Sequence, residues 1–482
     1  MNILESQDTI CAIATAQGGA LGIIRISGKE AITITDRIFT PIVRNALPLS
    51  SRKPYTLVFG HIKNEQGEII DEVLVSIFKG PHSYTGEDSV EISCHGSSYI
   101  LQQVMQLLID NGCRAAGPGE YTQRAFLNGK MDLSQAEAVA DLISSTSAAS
   151  HRLAMNQMRG GFSKELTVLR DKLLHLTSLM ELELDFSDHE DLEFADRTEL
   201  KVIADSIEKV ISHLVNSFSI GNAIKNGIPV AIIGETNAGK STLLNALLNE
   251  DRAIVSDVHG TTRDVIEDVM NINGTSFRFI DTAGIRETND TIESLGIERS
   301  FKKLEQAEIV LWVIDSKHAN DQIAELSDQI MPRCNNKQLI IVLNKNDKIS
   351  DPSIRTSIEK QLALITKKMD GTLTLNKIHI ISIAAKYKQG ISDLQKLLTN
   401  LSAIPKISQN DVVVTNLRHY QSLTKALESI QRVQEGISTQ LSGDFISQDL
   451  RECLFHLAEI VGGEITTDEV LGNIFKNFCV GK

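Results

Sequence analysis

Residues 234–241 read Gly-Glu-Thr-Asn-Ala-Gly-Lys-Ser and match the phosphate-binding pattern G-x-x-x-x-G-K-[ST]. An apolar run, residues 229–233, precedes them, and a helical run, residues 242–248, follows them. Glycines in such a turn let backbone N–H groups approach a phosphate without a Cβ clash, and the start of the helix adds a positive dipole. The stretch therefore predicts a nucleotide site in which Lys240 contacts the outer phosphates and Ser241 ligates magnesium.

Strand-like and helical runs alternate from about residue 228 to residue 404. The strand-like runs are residues 229–234, 277–281, 309–315, 339–344 and 378–383. This alternation is typical of a doubly wound α/β sheet, in which ligands bind beyond the carboxyl ends of the strands. We therefore assign residues 223–404 to one nucleotide-binding domain.

Two further motifs follow in the order that a GTPase requires. Residues 281–284, Asp-Thr-Ala-Gly, close the second strand-like run as a D-x-x-G element, and residues 344–347, Asn-Lys-Asn-Asp, close the fourth. We expect Asp281 near the magnesium shell and the Gly284 amide near the γ-phosphate. The Asp347 carboxylate can accept hydrogen bonds from N1–H and the exocyclic amine of guanine, a donor pair that adenine lacks. The motifs predict GTP rather than ATP, and together they resemble the translation-factor class of GTPases.

Two positions depart from the pattern of that class. The guanine-contacting Ser-Ala-Lys triplet aligns best with residues 384–386, Ala-Ala-Lys, so its serine is missing unless the register shifts to Ser382. Ile285 stands where Ras-like GTPases carry the glutamine that orients the attacking water, and isoleucine cannot hydrogen-bond water. Hydrolysis therefore needs another way to position water, for which Arg286 is either a candidate or simply a solvated surface charge.

The chain outside this domain divides into an α+β block and two helical blocks. In residues 1–128, Gly and Pro punctuate short β-like runs, which predicts an α+β domain. Those runs are residues 22–26, 55–59, 73–78 and 90–93. Residues 129–222 and 405–482 are helical, and they predict a discontinuous helical domain into which the nucleotide-binding domain is inserted. One apolar stripe that predicts a helix-bundle core is formed by Leu166, Leu169, Leu173, Leu176 and Met180.

Composition and charge exclude several classes of protein. Hydrophobic residues make up 42% and charged residues 23% of the chain, which excludes a mainly disordered protein. Asp and Glu number 62 and Lys and Arg 48, so the formal net charge is −14, and an acidic chain attracts nucleic acid poorly as a whole. The 6 cysteines show no C-x-x-C spacing, and the apolar runs are far shorter than the roughly 20 residues of a membrane span. The first residues carry no secretory signal, so we expect a cytoplasmic protein with no membrane partner.

Segments outside the nucleotide-binding domain resemble the bacterial family of tRNA modification GTPases called MnmE or TrmE, and the resemblance covers essentially all 482 residues. It rests on residues 21–28 (LGIIRISG), 83–88 (SYTGED), 118–130 (PGEYTQRAFLNGK) and 478–482 (FCVGK), the last similar to the family's Cys-Ile-Gly-Lys end. The resemblance implies that the inserted domain is a Ras-like P-loop GTPase domain (G domain). It also implies that the N-terminal domain resembles folate-binding folds and mediates constitutive dimerisation.

The resemblance implies a potassium-activated GTPase in which two G domains meet across their switch regions. By matched position, the potassium (K+) contacts are Asn237, Ser256, Val258 and Thr261, and Thr262 joins Ser241 as a contact of magnesium (Mg2+). Glu293 matches the family's water-orienting glutamate and is the implied catalytic residue, although on residue type alone it is an exposed helix acid. The full set of implied GTP contacts is Asn237, Ala238, Gly239, Lys240, Ser241, Thr242, Ser256, Asp257, Val258, His259, Gly260, Thr261, Thr262, Asp281, Thr282, Ala283, Gly284, Asn344, Lys345, Asp347, Ala384, Ala385 and Lys386.

For the N-terminal domain the resemblance implies a one-carbon donor, 5-formyl- or 5,10-methylene-tetrahydrofolate. By matched position the folate contacts are Arg25, Glu91, Lys130 and Lys482. A carboxylate such as Glu91 suits the donor face of a pterin ring, and an arginine or lysine suits the glutamate tail. Cys479 is either a nucleophile or a small residue that supports the terminus near this site, and we favour the supporting role because no histidine stands beside it.

The resemblance further implies a flavoprotein partner of the MnmG/GidA type, in a heterotetramer. Together the two proteins install an aminomethyl or carboxymethylaminomethyl group on carbon 5 of the tRNA wobble uridine. The FAD belongs to the partner, since this chain shows no G-x-G-x-x-G after a strand, and the −14 charge fits tRNA contact made mostly by the partner. Two alternatives stay open: a ribosome-assembly GTPase switch of the Era/Der type, and a GTP-binding scaffold without significant hydrolysis, which Ile285 makes conceivable.

Overall fold

The fold is given by a computed structural model that describes most of the chain. The described residues are 8–16, 18–43, 46–185, 197–235, 237–250, 268–280, 304–335, 337–348, 356–358, 360, 361, 378–402, 411–463, Phe475, Phe478 and Gly481. The chain divides into two compact units. The first contains Met1–Ser144, Ala154–Val215 and Leu417–Lys482, and the second contains Ser145–Leu153 and Asn216–Asn416. The second unit therefore interrupts the first along the chain, as an inserted domain does.

Twelve helices are present in the described residues. In chain order they are α1 (Ala31–Ile38), α2 (Ser98–Asp110), α3 (Glu120–Leu127), α4 (Leu133–Ser144), α5 (Ala148–Met158), α6 (Gly161–Asp185), α7 (Arg197–Asn226), α8 (Lys240–Glu250), α9 (Ala319–Ile330), α10 (Ile391–Leu401), α11 (Leu417–Ser438) and α12 (Gly443–Val461). None of them combines the length and the hydropathy that a membrane span needs.

A seven-stranded sheet forms the N-terminal part of the first unit. Its strands are β1 (Thr9–Ile13), β2 (Leu21–Ser27), β3 (Phe39–Pro41), β4 (Thr56–Lys63), β5 (Ile69–Phe78), β6 (Ser89–His95) and β7 (Cys113–Ala115). Their order is β3-β4-β5-β6-β2-β1-β7, and every neighbouring pair is antiparallel except β1 and β7. One face packs against α1 and α2 through a core that includes Ile24, Val75 and Ile92. All four predicted β-like runs coincide with these strands, the second run beginning one residue before β4, and the α+β prediction is confirmed.

Helical packing completes the first unit. The predicted stripe on α6 is buried along its whole length, from Leu166 to Met180, which confirms its place in a helix-bundle core. Helix α6 packs against α12, and α12 packs against α11. On α12 the buried face runs through Leu450, Cys453 and Leu457. The discontinuous helical domain is therefore built from segments on both sides of the insertion.

A six-stranded sheet forms the core of the second unit. Its strands are β8 (Ile228–Ile233), β9 (Asp268–Ile272), β10 (Thr275–Phe279), β11 (Ile309–Asp315), β12 (Gln338–Asn344) and β13 (Ile378–Ser382), in the order β13-β12-β11-β8-β10-β9. All neighbours are parallel except the β9–β10 hairpin. All five predicted runs are strands, and the doubly wound prediction is confirmed. Strand β9 was not predicted, although the Asn273-Gly274 turn with positive φ at both residues is a hairpin signal.

Candidate functional site

The predicted phosphate-binding segment, residues 234–241, is the turn that joins β8 to α8. Gly239 has φ +97°, and a Cβ there would overlap the side-chain nitrogen of Asn344. Gly234 has φ +144°, and a Cβ there would overlap the Val313 carbonyl oxygen. Only glycine therefore lets the turn pack this closely against the ends of β11 and β12.

Lys240 begins α8 and its side chain turns back into the preceding loop. Its Nζ donates hydrogen bonds of 2.7 Å to the carbonyl oxygens of both Gly234 and Glu235. The ammonium group therefore lies inside the turn, at the positive end of the helix dipole. An ammonium held by backbone carbonyls at a helix N-terminus is suited to attract the outer phosphates of a nucleotide.

The Asn344 side chain joins two of the predicted nucleotide-binding segments. Asn344 ends β12 and is only 3% exposed. Its Nδ2 donates to the Ala238 carbonyl oxygen at 2.9 Å, and its Oδ1 accepts from the Ala385 amide at 3.1 Å. The Asn344 carbonyl oxygen in turn accepts from Ser316 Oγ at 2.7 Å. One buried amide thus fixes the phosphate turn relative to residues 384–386.

Lys345 holds the other side of the phosphate turn. Its Nζ donates to the Asn237 carbonyl oxygen at 2.7 Å and to Asp315 Oδ2 at 2.8 Å. Burial acts to raise the pKa of the Asp315 carboxyl, but the hydrogen bonds from Lys345 and from the Lys317 amide, together with the nearby positive charges, outweigh it and the pKa is lowered. Asp315 is therefore ionised at neutral pH and pairs with the ammonium. The sequence analysis missed Asp315, although an acidic residue that ends a buried parallel strand lies at the edge where ligands bind.

The predicted guanine-contacting residues lie beside this network. Asp347 and Lys386 are exposed, as a contact with a ligand requires. The Asn346 amide donates to the Ile383 carbonyl oxygen at 3.1 Å, so the two loops lie side by side. Ser382 lies within β13, opposite Leu343. The structure therefore places residues 384–386 beside residues 344–347, and their contacts with guanine stay a prediction.

Several predicted site residues lie outside the described residues, and their assignments stay predictions. They are Ser256, Asp257, Val258, His259, Gly260, Thr261, Thr262, Asp281, Thr282, Ala283, Gly284, Ile285, Arg286, Glu293, Cys479 and Lys482. Asn237, Ala238, Gly239, Lys240, Ser241 and Thr242 are described, and they form the turn and the first turn of α8.

The predicted folate contacts Arg25 and Glu91 form an ion pair in the first unit. They lie directly opposite each other on β2 and β6, and Arg25 donates to Glu91 Oε1 from Nε at 2.9 Å and from Nη2 at 2.8 Å. Arg25 Nη1 also donates to the Gly481 carbonyl oxygen at 3.2 Å. Strand β2 and the C-terminal segment thus meet at this pair. Which part of a ligand Arg25 and Glu91 each contact stays a prediction.

Two tyrosines that the sequence analysis did not single out surround Arg25. The Arg25 guanidinium carbon lies 5.8 Å from the ring centre of Tyr84 and 5.7 Å from that of Tyr121, within the range of cation–π attraction. The Tyr121 hydroxyl donates to the Arg25 carbonyl oxygen at 2.7 Å, and the Tyr84 hydroxyl hydrogen-bonds Thr122 Oγ1 at 2.8 Å. Burial raises the pKa of both hydroxyls, so both rings are neutral. Both tyrosines lie in segments that carry the family resemblance, residues 83–88 and 118–130, and that was the sequence signal by which they could have been found.

Lys130 contacts the loop that carries Tyr84. Its Nζ donates to the Pro81 carbonyl oxygen at 2.8 Å. In the described part of the chain no hydrogen bond joins Lys130 to Arg25 or Glu91. The role of Lys130 as a folate contact stays a prediction.

Two phenylalanines attach the C-terminal segment to the first unit. Phe475 is 1% exposed and packs with Leu133 and Ala136, and its ring meets that of Phe478 edge to face at 5.1 Å. The backbone at Gly119 comes so close to Phe478 that a Cβ on Gly119 would lie 2.8 Å from the phenylalanine Cβ. These contacts explain how Gly481 reaches Arg25.

Comparison with known proteins gives full-length matches. The family model described as "GTP-binding protein TrmE N-terminus" matches residues 9–130, and the one described as "MnmE helical domain" matches residues 133–479. The tRNA modification GTPase MnmE of Bacteroides thetaiotaomicron is 66% identical, over 99% of this chain and 100% of the relative. Proteins of the same description are 67% identical in Bacteroides fragilis and 52% identical in Flavobacterium johnsoniae, each over 99% of this chain and 100% of the relative.

Proposed function

This chain belongs to the MnmE family of tRNA modification GTPases, and we propose that its GTP hydrolysis is activated by potassium and serves modification of the tRNA wobble uridine. As a member of the family it is a GTP hydrolase that acts in tRNA modification. The full-length matches include the N-terminal and helical domains, which favours tRNA modification over a ribosome-assembly switch of the Era/Der type. The observation that best supports a GTP-binding site here is that the Asn344 side chain joins the phosphate turn to residues 384–386.

The residues around the phosphate turn fit hard cations. Hydroxyl, carbonyl and amide oxygens are the ligands that such cations prefer, and the turn offers the Ser241 hydroxyl and the exposed amide of Asn237. Ser241 and Thr262 would hold magnesium, and Asn237 would hold potassium with Ser256, Val258 and Thr261. Bound potassium supplies the positive charge that an arginine finger supplies in other GTPases.

In the proposed reaction, the chain's own residues orient the nucleotide and the water. Lys240 binds the outer phosphates, while Asp347 and Lys386 bind and select guanine. Glu293 orients the attacking water, the role that Ile285 cannot perform. Closure of the two G domains on GTP and opening after hydrolysis would then be transmitted through the helical domain.

GTP turnover in potassium, sodium and caesium tests the cation proposal. We expect turnover to be highest in potassium, because the proposed site is built for one ion size. Equal turnover in all three ions would contradict potassium activation, and equal, negligible turnover would favour the scaffold alternative. Glu293→Ala should lower kcat on the order of 10²-fold or more while GTP affinity changes little, if Glu293 positions water.

The Arg25–Glu91 pair supports the proposal of a tetrahydrofolate site in the N-terminal domain. Its Glu91 carboxylate, a quarter exposed, fits the donor edge of a pterin ring, and the tyrosines beside Arg25 offer aromatic surface. Lys130 and Lys482 would contact other parts of the ligand. Titration of 5-formyl-tetrahydrofolate into the protein, followed by fluorescence, tests the site. Glu91→Gln should weaken binding about tenfold, because it replaces the charged carboxylate with a neutral amide and one acceptor oxygen with an NH2 donor.

The open face of the N-terminal sheet supports the proposal of a homodimer. Leu57, Phe59 and Leu74 are 60%, 47% and 39% exposed, and Phe59 lies directly opposite Leu74. Apolar side chains at neighbouring positions on one exposed face mark interaction surfaces. Phe59→Asp should convert a dimer to a monomer in light scattering, whereas Val168→Asp, at an exposed position on α6, should not.

The wobble-uridine chemistry is proposed to need a flavoprotein partner of the MnmG/GidA type, which brings the FAD. Mass analysis of wobble uridines in cells that lack this chain should show loss of the aminomethyl or carboxymethylaminomethyl group. Unchanged modification would contradict this part of the proposal. Co-purification of the two proteins, with a mass that fits a heterotetramer, tests the partnership.

A further inference from the structure

A network that includes Asp315 and Gln322, two residues outside the sequence motifs, holds the phosphate turn at two points. On one side, Lys345 Nζ bridges the Asn237 carbonyl oxygen and Asp315 Oδ2 at 2.7 and 2.8 Å. On the other side, Gln322 Nε2 donates to Glu235 Oε2 at 2.5 Å. The two sides are joined because the Asp315 amide donates to Gln322 Oε1 at 3.3 Å. The turn is therefore held at position 237 by Lys345, the residue after β12, and at position 235 by Gln322 of α9, and both side chains also bond to Asp315.

The local structure around Asp315 keeps its carboxylate in place. Asp315 is the last residue of β11, and its Oδ1 accepts a hydrogen bond of 3.1 Å from the Lys317 amide. Both oxygens are thus used, one for the chain turn after β11 and one for Lys345. Gln322 lies in the first turns of α9 and is buried. A charge-assisted hydrogen bond to a carboxylate that a second hydrogen bond holds in place is stronger and more directional than one to a solvated carboxylate.

The position of Asn237 depends on this network. Asn237 has φ +62°, a left-handed conformation that asparagine tolerates better than most residues. Its carbonyl oxygen is bonded to Lys345 while its side chain is exposed. The hydrogen bond to the carbonyl oxygen fixes the backbone of Asn237 and therefore the position from which its side-chain amide extends. Loss of that hydrogen bond would let both the backbone and the side chain of Asn237 move.

We propose that Asp315 is a positioning residue that, through Lys345, holds Asn237 in the geometry the monovalent cation requires, with Gln322 as a second support at Glu235. This inference rests on the potassium activation proposed above. It assigns Asp315 and Gln322 no contact with GTP or with the cation. It predicts that changes at these two residues act on cation and nucleotide affinity more than on the rate at saturation.

Asp315→Asn tests the proposal, because it keeps the shape of the side chain and removes its charge. The potassium concentration for half-maximal GTP turnover should rise about tenfold, the effect of weakening one charge-assisted hydrogen bond, while kcat at saturating potassium changes less than about twofold. Gln322→Met removes the second support without a change in length and should shift half-activation in the same direction. Asp393→Asn is the matched control, since Asp393 pairs with Lys396 on the exposed surface of α10 at 3.3 Å.

Three readouts separate the outcomes. Thermal unfolding shows whether each variant folds. If Asp315→Asn does not fold, the potassium concentration for half-maximal turnover of Gln322→Met tests the proposal instead. An unchanged half-activation concentration in a folded Asp315→Asn protein overturns the proposal. Binding of fluorescent GDP without potassium reports the turn alone. If the wild-type chain shows no potassium dependence, potassium activation fails and the cation part of this inference fails with it. A GDP affinity of Asp315→Asn lowered about tenfold would then still support a positioning role, and an unchanged affinity would exclude it.

Discussion

The guanidinium of Arg25 donates a hydrogen bond to the carbonyl oxygen of Gly481, a residue 456 positions later in the chain. This contact joins the second strand of the N-terminal sheet to the C-terminal segment, and the same guanidinium holds Glu91. The order of the C-terminal segment and the state of the Arg25–Glu91 pair are therefore coupled.

Arg25→Ala should release the C-terminal segment. The change removes the hydrogen bond to Gly481 and the two hydrogen bonds that Arg25 donates to Glu91 Oε1. Amide hydrogen exchange of the C-terminal peptide should therefore become about tenfold faster, as expected when a charge-assisted bond is lost. Mass spectrometry of hydrogen exchange measures this. Arg37→Ala is the control, since Arg37 donates to the Asn111 carbonyl oxygen on the exposed surface. Equal exchange rates in Arg25→Ala and wild type would contradict the coupling.

Asn344→Ala should weaken nucleotide binding by removing the bridge between two loops. The Ala238 carbonyl oxygen and the Ala385 amide both lose their partner, so GDP should dissociate faster by about one to two orders of magnitude. Stopped-flow displacement of a fluorescent GDP measures the rate. Asn346→Ala, at the exposed neighbouring position of the same motif, should change the rate less than about twofold if the bridge is the cause.

Asp347→Asn should reduce the preference for guanine. Its carboxylate is proposed to accept from N1–H and from the exocyclic amine, and inosine lacks that amine. Wild-type protein should therefore bind GDP more tightly than IDP, and in Asp347→Asn the ratio should fall about tenfold toward unity, because the charged acceptor is gone. Competition binding with both nucleotides measures the ratio. A ratio that stays at the wild-type value would place guanine recognition elsewhere.

Glu137→Gln should destabilise the first unit in a pH-dependent manner. Glu137 is 8% exposed, accepts from Arg418 Nε at 2.9 Å and lies 2.6 Å from His419 Nε2. Burial acts to raise its pKa, but His419 and Arg418 outweigh burial and lower it to about 2. Because the folded-state pKa is depressed, the carboxylate stabilises the fold above its ordinary pKa of 4.5, and this contribution is lost as the pH falls toward about 2.

The free energy of unfolding of Glu137→Gln should therefore be lower by roughly 3 kcal/mol at pH 7, and the difference should shrink between pH 4.5 and pH 3. Denaturant unfolding followed by circular dichroism at several pH values measures it. Glu181→Gln is the control, because the Glu181–Arg451 pair at 2.9 Å lies on the surface, with the Glu181 side chain 47% exposed and the Arg451 side chain 69% exposed. A difference that does not vary with pH would rule out this ion cluster as the source.

Local patterns in the sequence were sufficient to predict the strand–turn–helix around Lys240, five of the six strands in the second unit's sheet and the buried stripe of α6. These features depend on backbone conformation and on periodic burial, which are properties of neighbouring residues. The match of Arg25 to a family position was likewise visible, because Arg25 lies in a short recognisable segment, residues 21–28, whereas Glu91 lies three residues after the segment 83–88.

Contacts between distant segments could not be predicted in this way. Asp315 lies 30 positions from Lys345, and the Arg25 carbonyl lies 96 positions from the Tyr121 hydroxyl that donates to it. No local pattern says which strand ends lie side by side, since strand order and register arise when a whole sheet buries its apolar faces. The sequence thus predicted individual site residues such as Lys240 and Asn344. Which residues they contact became known only from the tertiary structure, because the folded sheets bring remote strand ends together.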